Sequence, residues 1–126
     1  MKKFLLVAIA VTGFAAVAFA QTVPTKTGDS AKGKVLTDEK GMTLYVFDKD
    51  TEGKSVCNGA CATNWPPLMA SGDAKGQGAY TVIVRDDGAK QWAYKGKPLY
   101  TWLKDAKPGD ITGDGVASNA WHIAAP

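Results

Sequence analysis

The residues best suited to chemistry are two cysteines. Cys57 and Cys61 are the only cysteines of the 126-residue chain. The segment between them includes Gly59, so a tight turn can bring the two side chains within bonding distance. In an oxidising compartment an even pair of cysteines is most simply a structural disulfide, which we expect here. The alternatives are a redox-active pair, whose usual spacing is C-x-x-C, and a pair of thiolate metal ligands.

A soft-metal site, for example for copper(I), is the second candidate chemistry. Its ligands would come from Cys57, Cys61, Met42, Met69 and His122. Only the cysteines have a ligand spacing. The sole histidine, His122, follows Trp121 in an expected final strand, where an ordinary exposed or hydrogen-bonded histidine is favoured. We therefore expect no metal and no cofactor, with His122 and Met69 as the alternative ligands.

Catalytic signatures are missing from the sequence. It contains no G-x-S-x-G, H-E-x-x-H or P-loop motif, and a single histidine leaves few ways to build a nucleophile–base pair. Several carboxylates follow β-prone runs, namely Asp48, Asp50, Glu52, Asp86, Asp87 and Asp105. Two of them could serve as a glycosidase acid and base, but surface acids are common in all proteins. The sequence favours a non-catalytic role and leaves an unrecognised hydrolase open.

An internal repeat positions many of these residues. The stretch "GMTLYVFDKD" at 41–50 returns as "GKPLYTWLKD" at 96–105, at an offset of 55. After one inserted residue, "NGACATNW" at 58–65 aligns with "DGVASNAW" at 114–121. These matches predict two repeats, at about 41–68 and 96–124. Since an isolated hairpin is marginally stable in water, we expect the two copies to pack around one core.

The repeat motif carries an aromatic pair, an aspartate and a tryptophan in each copy. These residues are Tyr45, Phe47, Asp50 and Trp65 in the first repeat and Tyr100, Trp102, Asp105 and Trp121 in the second. In a strand, alternate residues share a face, so Tyr45 and Phe47 should lie on one side. Each aspartate follows the strand end, where it can accept hydrogen bonds from loop amides or from a facing tyrosine. We interpret the aspartates as structural clamps rather than catalytic groups.

Short β-prone runs between turn signals predict an all-β fold. They read "KVLT", "MTLYVF", "YTVIVR", "QWAY", "PLYTWL" and "WHIA", separated by turns at Gly41, 86–88 and 95–98. No segment has a long helical period, although one helical turn is expected around "GACATN". We predict one small domain of short antiparallel strands over 34–126.

The first twenty residues predict export. Lys2 and Lys3 precede an apolar stretch that ends in Ala18-Phe19-Ala20, the pattern of a cleaved secretory signal peptide. Polar residues 21–33 are expected to be a flexible lead-in. Loss of two lysines with the signal lowers the formal charge from +3 to +1, and the remaining charges are interspersed. The chain therefore predicts a periplasmic or secreted protein that neither spans a membrane nor binds nucleic acid.

Aromatic residues are the expected place for a binding surface. Trp and Tyr favour positions with one wet edge, and a small two-layer core cannot easily bury all of them. We expect some of Tyr45, Tyr94, Tyr100, Trp92 and Trp102 to line a strip, with Trp92 and Tyr94 as its centre. The alternative is that they form cross-strand pairs that only stabilise the sheet.

The pattern Y-x-[FWY]-x-x-D occurs at 45–50 and at 100–105. Together with "CNGACATNWPPL", "RDDGAKQWAYKGKPLYTW" and "KPGDITGDGVASNAWHIA", it resembles the bacterial secreted-repeat family of predicted lipoproteins. The resemblance covers about residues 34–125, although this chain has no lipidation cysteine beside its cleavage site. It implies an envelope or secreted location without an assigned biochemical role, and for some members a link to alkane utilisation.

From these features we predict an exported, non-catalytic binding or accessory protein of the cell envelope, with an unidentified envelope partner or ligand. A periplasmic copper-like metal-binding or thiol redox protein is the alternative, followed by an accessory role in alkane utilisation.

Overall fold

The computed structural model describes residues 23–126, which form short strands and two short helical segments. In chain order the elements are β1 (Lys26–Ser30), β2 (Gly33–Thr37), β3 (Tyr45–Phe47), α1 (Ala60–Asn64), β4 (Tyr80–Val84), β5 (Lys90–Tyr94), β6 (Lys97–Pro98), α2 (Val116–Asn119) and β7 (Trp121–Ile123). The predictions of an all-β fold and of a helical turn around "GACATN" are confirmed. The expected signal peptide, 1–20, lies outside the described residues.

The strands form three small antiparallel sheets, with the orders β1-β2, β3-β7 and β4-β5-β6. Some strands are shorter than the sequence predicted. Of the run "PLYTWL", only Pro98 belongs to a strand, while Tyr100 makes isolated bridges to Tyr45 and to Pro67. None of the helices within 23–126 is long and apolar enough to cross a membrane.

The expectation of a flexible lead-in over 21–33 needs correction, because Lys26–Ser30 form the strand β1. Lys26 to Ser30 pair with β2 in continuous antiparallel register, from Lys26 opposite Thr37 to Ser30 opposite Gly33. No local pattern indicates this strand, because its residues are polar and the pairing with β2 is what orders them. Gly28 is required by packing, since a Cβ there would lie 2.9 Å from Cγ2 of Thr37.

The two halves repeat one hydrogen-bond pattern. Leu36 and Leu44 of the first half form a closed ring of backbone hydrogen bonds with Ala124 of the second, in which Leu36 donates to Ala124, Ala124 to Leu44 and Leu44 to Leu36. Trp92 and Leu99 of the second half form the same ring, in the same order, with Leu68 of the first. The repeat seen in the sequence is therefore a repeat of backbone geometry.

The two halves meet at Tyr45 and Tyr100. The amide of Tyr45 donates to the carbonyl of Tyr100 at 2.7 Å, and the amide of Tyr100 donates back at 3.0 Å. This reciprocal pair is the arrangement expected around an internal pseudo-twofold axis. Both side chains are fully buried.

Two buried clusters form the core. The first contains Leu36, Leu44, Trp92, Leu99 and Ala124, which come from the two hydrogen-bonded rings. The second contains Tyr45, Cys57, Trp65, Tyr100 and Trp121. Aliphatic packing thus fixes the hairpins, and aromatic packing joins the motif residues of the two repeats.

A tight turn between β5 and β6 places two lysines at the surface. Lys95 and Gly96 have φ values of 52° and 84°, the left-handed conformations of a type I′ hairpin turn. Gly96 also faces Glu52, whose Cγ would be 2.7 Å from a Cβ at this position. The turn therefore holds Lys95 and Lys97 close to the loop that follows β3.

Candidate functional site: two clefts beside a Tyr–Asp pair

Each motif tyrosine bonds the aspartate of the other repeat. The Tyr45 hydroxyl donates to Oδ2 of Asp105 at 2.6 Å, and the Tyr100 hydroxyl donates to Oδ2 of Asp50 at 2.6 Å. The second oxygen of each aspartate accepts a loop amide, from Val56 at Asp50 and from Thr112 at Asp105. The hydrogen bonds expected for the aspartates are present, and they cross between the repeats.

The aromatic motif residues form a continuous stack. Its rings follow the order Trp102, Trp65, Trp121 and Phe47, with centroid separations of 3.9, 3.7 and 4.2 Å. Trp65 and Trp121 are almost parallel, at 2°, and both are buried. Phe47 and Trp102 end the stack and are half-buried. The stack therefore presents one partly exposed ring at each end.

A cleft of about 170 Å³ lies against the Phe47 end of the stack. Its lining residues are Val46, Phe47, Asp48, Asp50, Thr51, Glu52, Lys95, Gly96, Lys97 and Pro98. We call this the Phe47 cleft. It combines an aromatic and aliphatic floor with three carboxylates and two ammonium groups.

A second cleft of about 180 Å³ adjoins the first. It is lined by Val46, Tyr94, Lys95, Lys97, Ile123, Ala124 and Ala125, and we call it the Tyr94 cleft. Val46, Lys95 and Lys97 belong to both clefts, so the two form one continuous surface. The ammonium nitrogen of Lys95 lies over the Tyr94 ring, 5.1 Å from its centroid.

The pseudo-symmetric position holds a different cleft. It is lined by Pro24, Asp38, Glu39, Lys40, Leu68 and Met69, and we call it the counterpart cleft. Lys40 takes the place of Lys95, and Asp38 takes the place of Tyr94, because the Asp38 amide bonds the Met42 carbonyl where Tyr94 pairs with Lys97. The two repeats therefore present surfaces of different charge and polarity.

A buried arginine is linked to the Phe47 cleft by a chain of hydrogen bonds. Arg85 is 5% exposed and donates to four oxygens: Ser55 Oγ, Gln91 Oε1, the Cys57 carbonyl and Asn58 Oδ1. Ser55 Oγ also bonds the Tyr100 hydroxyl at 2.6 Å. A chain of hydrogen bonds thus runs from Arg85 through Ser55 and Tyr100 to Asp50 at the cleft wall.

Burial raises the pKa values of Asp50, Tyr100 and Tyr45. Removal from water raises the pKa of Asp50, although the bonds from Tyr100 and Val56 and the charge of Arg85 act in the opposite direction. Burial, followed by the hydrogen bond to Asp50, raises the pKa of Tyr100. In the other pair, burial and then Asp105 raise the pKa of Tyr45. Both hydroxyls therefore remain proton donors over the physiological range.

The expected binding strip is only partly present. Trp92 is 2% exposed and belongs to the first core cluster, so it lines no surface. Its place in the repeat is that of Leu36, a buried residue, which explains why an aromatic side chain is internal here. Tyr94 is half-buried and lines a cleft. Phe47 joins it on the surface, whereas Tyr45 and Tyr100 lie in the core.

The two cysteines form the expected disulfide. Cys57 and Cys61 are bonded to each other, with their Cα atoms 5.2 Å apart. The alternative soft-metal ligands lie apart from this bond. His122 Nε2 pairs with Oδ2 of Asp48 at 2.8 Å, and Met69 lines the counterpart cleft. Residues 23–126 contain no group of three or more His, Cys, Asp or Glu side chains placed to hold a metal ion.

Sequence reasoning missed the cleft lysines and the arginine network. Lys95 and Lys97 were read only as parts of a turn, because nothing in "KGKP" shows what packs beside it. Arg85 is the sole arginine of the chain. It follows the run "TVIV", and this position next to an apolar strand could have indicated a buried charged side chain. Ser55 carried no signal, since its role depends on Tyr100 in the other repeat.

Comparison with known proteins supports the repeat. A family model described as a secreted repeat of unknown function matches the chain twice, over residues 26–69 and 81–125. No curated protein and no solved structure matches the chain. Each match includes an N-terminal hairpin, β1-β2 or β4-β5, so the repeats begin earlier than the expected 41 and 96. Because the two matches cover most of the sequence, the chain belongs to this family of secreted repeats of unknown function.

Proposed function

We propose that this protein is an exported, non-catalytic binding module that takes a small amphipathic ligand across the Phe47 and Tyr94 clefts. The observation that carries the proposal is the continuity of the two clefts through Val46, Lys95 and Lys97. One surface therefore offers an aromatic ring on each side and charged groups between them. Concave sites with apolar walls and a few convergent polar groups are typical ligand sites.

The hydrogen bonds of the Phe47 cleft support a preformed binding surface. Asp50 uses both oxygens as acceptors for Tyr100 and for the amide of Val56, and Asp48 is paired with His122. These contacts hold the carboxylates in fixed positions. A preformed wall of this kind lowers the ordering cost of binding a ligand.

Export is proposed from the sequence together with the family. The pattern at residues 1–20 predicts a signal peptide cut after Ala20, and the matching family is described as secreted. We propose that the mature protein acts in the periplasm or outside the cell, where an oxidising environment favours the Cys57–Cys61 bond.

Amide chemical-shift mapping tests the binding function. The folded protein would be titrated with a panel of saccharides, short peptides and neutral, cationic and anionic amphiphiles. At least one class should shift amides of Phe47, Glu52 and Lys95 while leaving Lys40 and Met69 of the counterpart cleft unchanged.

The variant Phe47→Ala provides the control, because it removes the ring that one cleft shares with the aromatic stack. It should weaken the response without unfolding the domain, as judged by the remaining spectrum. A panel in which no class shifts the cleft amides, or in which shifts fall on the counterpart cleft, would contradict the proposal.

A further inference from the structure

The Tyr94 cleft has a composition that selects among amphipathic ligands. Five of its lining residues are apolar or aromatic, namely Val46, Tyr94, Ile123, Ala124 and Ala125. Its only charged lining residues are Lys95 and Lys97. An apolar wall bordered by ammonium groups of one sign matches a ligand with a hydrocarbon part and a negative head.

The two cleft lysines take part in none of the ion pairs of residues 23–126. Within the described part of the chain, the ion pairs involve other lysines and His122, and neither Lys95 nor Lys97 pairs with a carboxylate. Three acids line the adjoining Phe47 cleft, and one of them, Glu52, packs against Gly96 between the two lysines, but no acid that the structure describes lines the Tyr94 cleft itself. Asp48 bonds His122, and Asp50 bonds Tyr100 and a loop amide.

The Tyr94 ring fixes one of these charges at the cleft. Lys95 Nζ lies 5.1 Å from the ring centroid, within the range of a cation–π contact. Since Tyr94 also lines the cleft, the ammonium stands at its margin rather than extending freely into solvent. A bound anion would meet a positioned donor.

The volume of the cleft limits the size of the hydrocarbon part. The cleft measures about 180 Å³. Protein cavities of about 150 Å³ hold a molecule the size of benzene. The cleft therefore suits one short alkyl chain and is too small for the paired acyl chains of a phospholipid.

We infer that the Tyr94 cleft binds a free single-chain anionic amphiphile, an alkyl carboxylate, with its head at Lys95 and Lys97 and its chain against Val46, Tyr94 and Ile123. This inference rests on the proposed binding function and names its ligand class. The counterpart cleft does not share it, because Asp38 and Glu39 line that cleft itself, whereas none of the described acids lines the Tyr94 cleft.

Titration with sodium octanoate tests the inference on the folded mature protein. Octanoate should shift amides of Tyr94, Lys95 and Ile123, whereas octyl glucoside and octyltrimethylammonium should have much smaller effects. The double variant Lys95→Ala/Lys97→Ala should weaken octanoate binding by about tenfold, as expected for loss of charge-assisted bonds. The matched variant Lys40→Ala should bind octanoate like the unaltered protein.

The controls separate this inference from the broader binding function. Equal or stronger shifts with octyltrimethylammonium would overturn the anionic assignment and leave the binding proposal standing. Binding only to vesicles of anionic phospholipid would also overturn it, because the inference requires a free molecule. A response to sugars or peptides alone would reject the amphiphile while supporting a binding module. If no compound of the whole panel shifts the cleft amides, both the alkyl carboxylate inference and the proposed binding function are rejected.

Discussion

The two Tyr–Asp pairs are equivalent in sequence and differ in their surroundings. Asp105 is 9% exposed and accepts three hydrogen bonds, from the Tyr45 hydroxyl and from the amide and hydroxyl of Thr112. Asp50 is half-buried, accepts from Tyr100 and the amide of Val56, and lines the Phe47 cleft. One pair is closed within the core, and the other reaches the surface.

The difference places one copy of the duplicated pair in the core and the other beside a cleft. The closed pair contacts the backbone of Gly113, whose amide donates to the Tyr45 hydroxyl at 3.2 Å. The open pair is instead joined to Ser55 and Arg85, polar groups that tolerate a nearby cleft. The cleft beside Asp50 is therefore part of the continuous surface that we propose for binding.

The largest expected effect involves both tyrosines and alkaline pH. Because the pKa values of Tyr45 and Tyr100 are raised in the folded state, the unfolded chain loses these protons first, near pH 10. Stability should be fully present below about pH 10 and should fall above it by about 1.4 kcal/mol per pH unit for each phenol. Urea unfolding between pH 9 and pH 11.5, a range set by the tyrosine pKa, would measure the slope.

Single phenylalanine variants sharpen this test. Tyr45→Phe and Tyr100→Phe should each remove about half of the alkaline slope, since each leaves one buried phenol. An unchanged slope in either variant, or ionisation of all four tyrosines in the folded protein, would contradict the prediction.

Removing Asp105 and removing Asp50 should lower the free energy of unfolding by different amounts. Asp105→Ala leaves three hydrogen-bond donors in the core without an acceptor, so it should lower the free energy of unfolding by about 3 kcal/mol. Asp50→Ala leaves two donors without an acceptor beside a cleft that water can enter, so we expect the free energy of unfolding to fall by about 2 kcal/mol. Denaturant unfolding of both variants at neutral pH measures the difference. Equal losses would mean that the closed and open surroundings are energetically equivalent.

Only the first repeat contains a disulfide. Aligned positions in the second repeat are Gly113 and Ala117, which cannot form such a bond. Cys57→Ser/Cys61→Ser should lower the free energy of unfolding by about 2 kcal/mol, because the closed loop is short. The variant should still fold, with a lower melting temperature by calorimetry. Failure to fold would show that the disulfide is required for the aromatic core.

The smallest expected effect comes from the turn that replaces the disulfide loop. In α2, Ser118 has φ 58° and ψ 44°, a left-handed conformation that is unfavourable for residues with a Cβ. Ser118→Gly should therefore raise stability by about 0.5–1 kcal/mol. The matched change Ala62→Gly, in α1, should instead lower it by about 1 kcal/mol, because glycine is a poor helix former. Changes of the same sign in both variants would contradict this contrast.

The sequence predicted the features that depend on neighbours along the chain. The spacing of Cys57 and Cys61 indicated a local bond, and that bond is present. Turn residues such as Gly96 and the helical turn at Ala60–Asn64 were also local signals. The repeat was readable wherever aromatic and glycine positions recur. The repeat could not be recognised from the sequence at the hairpins β1-β2 and β4-β5, because they share geometry but few residue types.

The sequence by itself determined an all-β class, two related repeats, a disulfide and a pair of hydrogen-bonding aspartates. Only the tertiary structure decided that Tyr45 pairs with Asp105 and Tyr100 with Asp50, because these partners come from different repeats. It also decided that Trp92 is internal and that Lys95 and Val46 line the same clefts. Exposure and cross-repeat contact depend on how the two halves pack, and packing brings together residues that no local pattern relates.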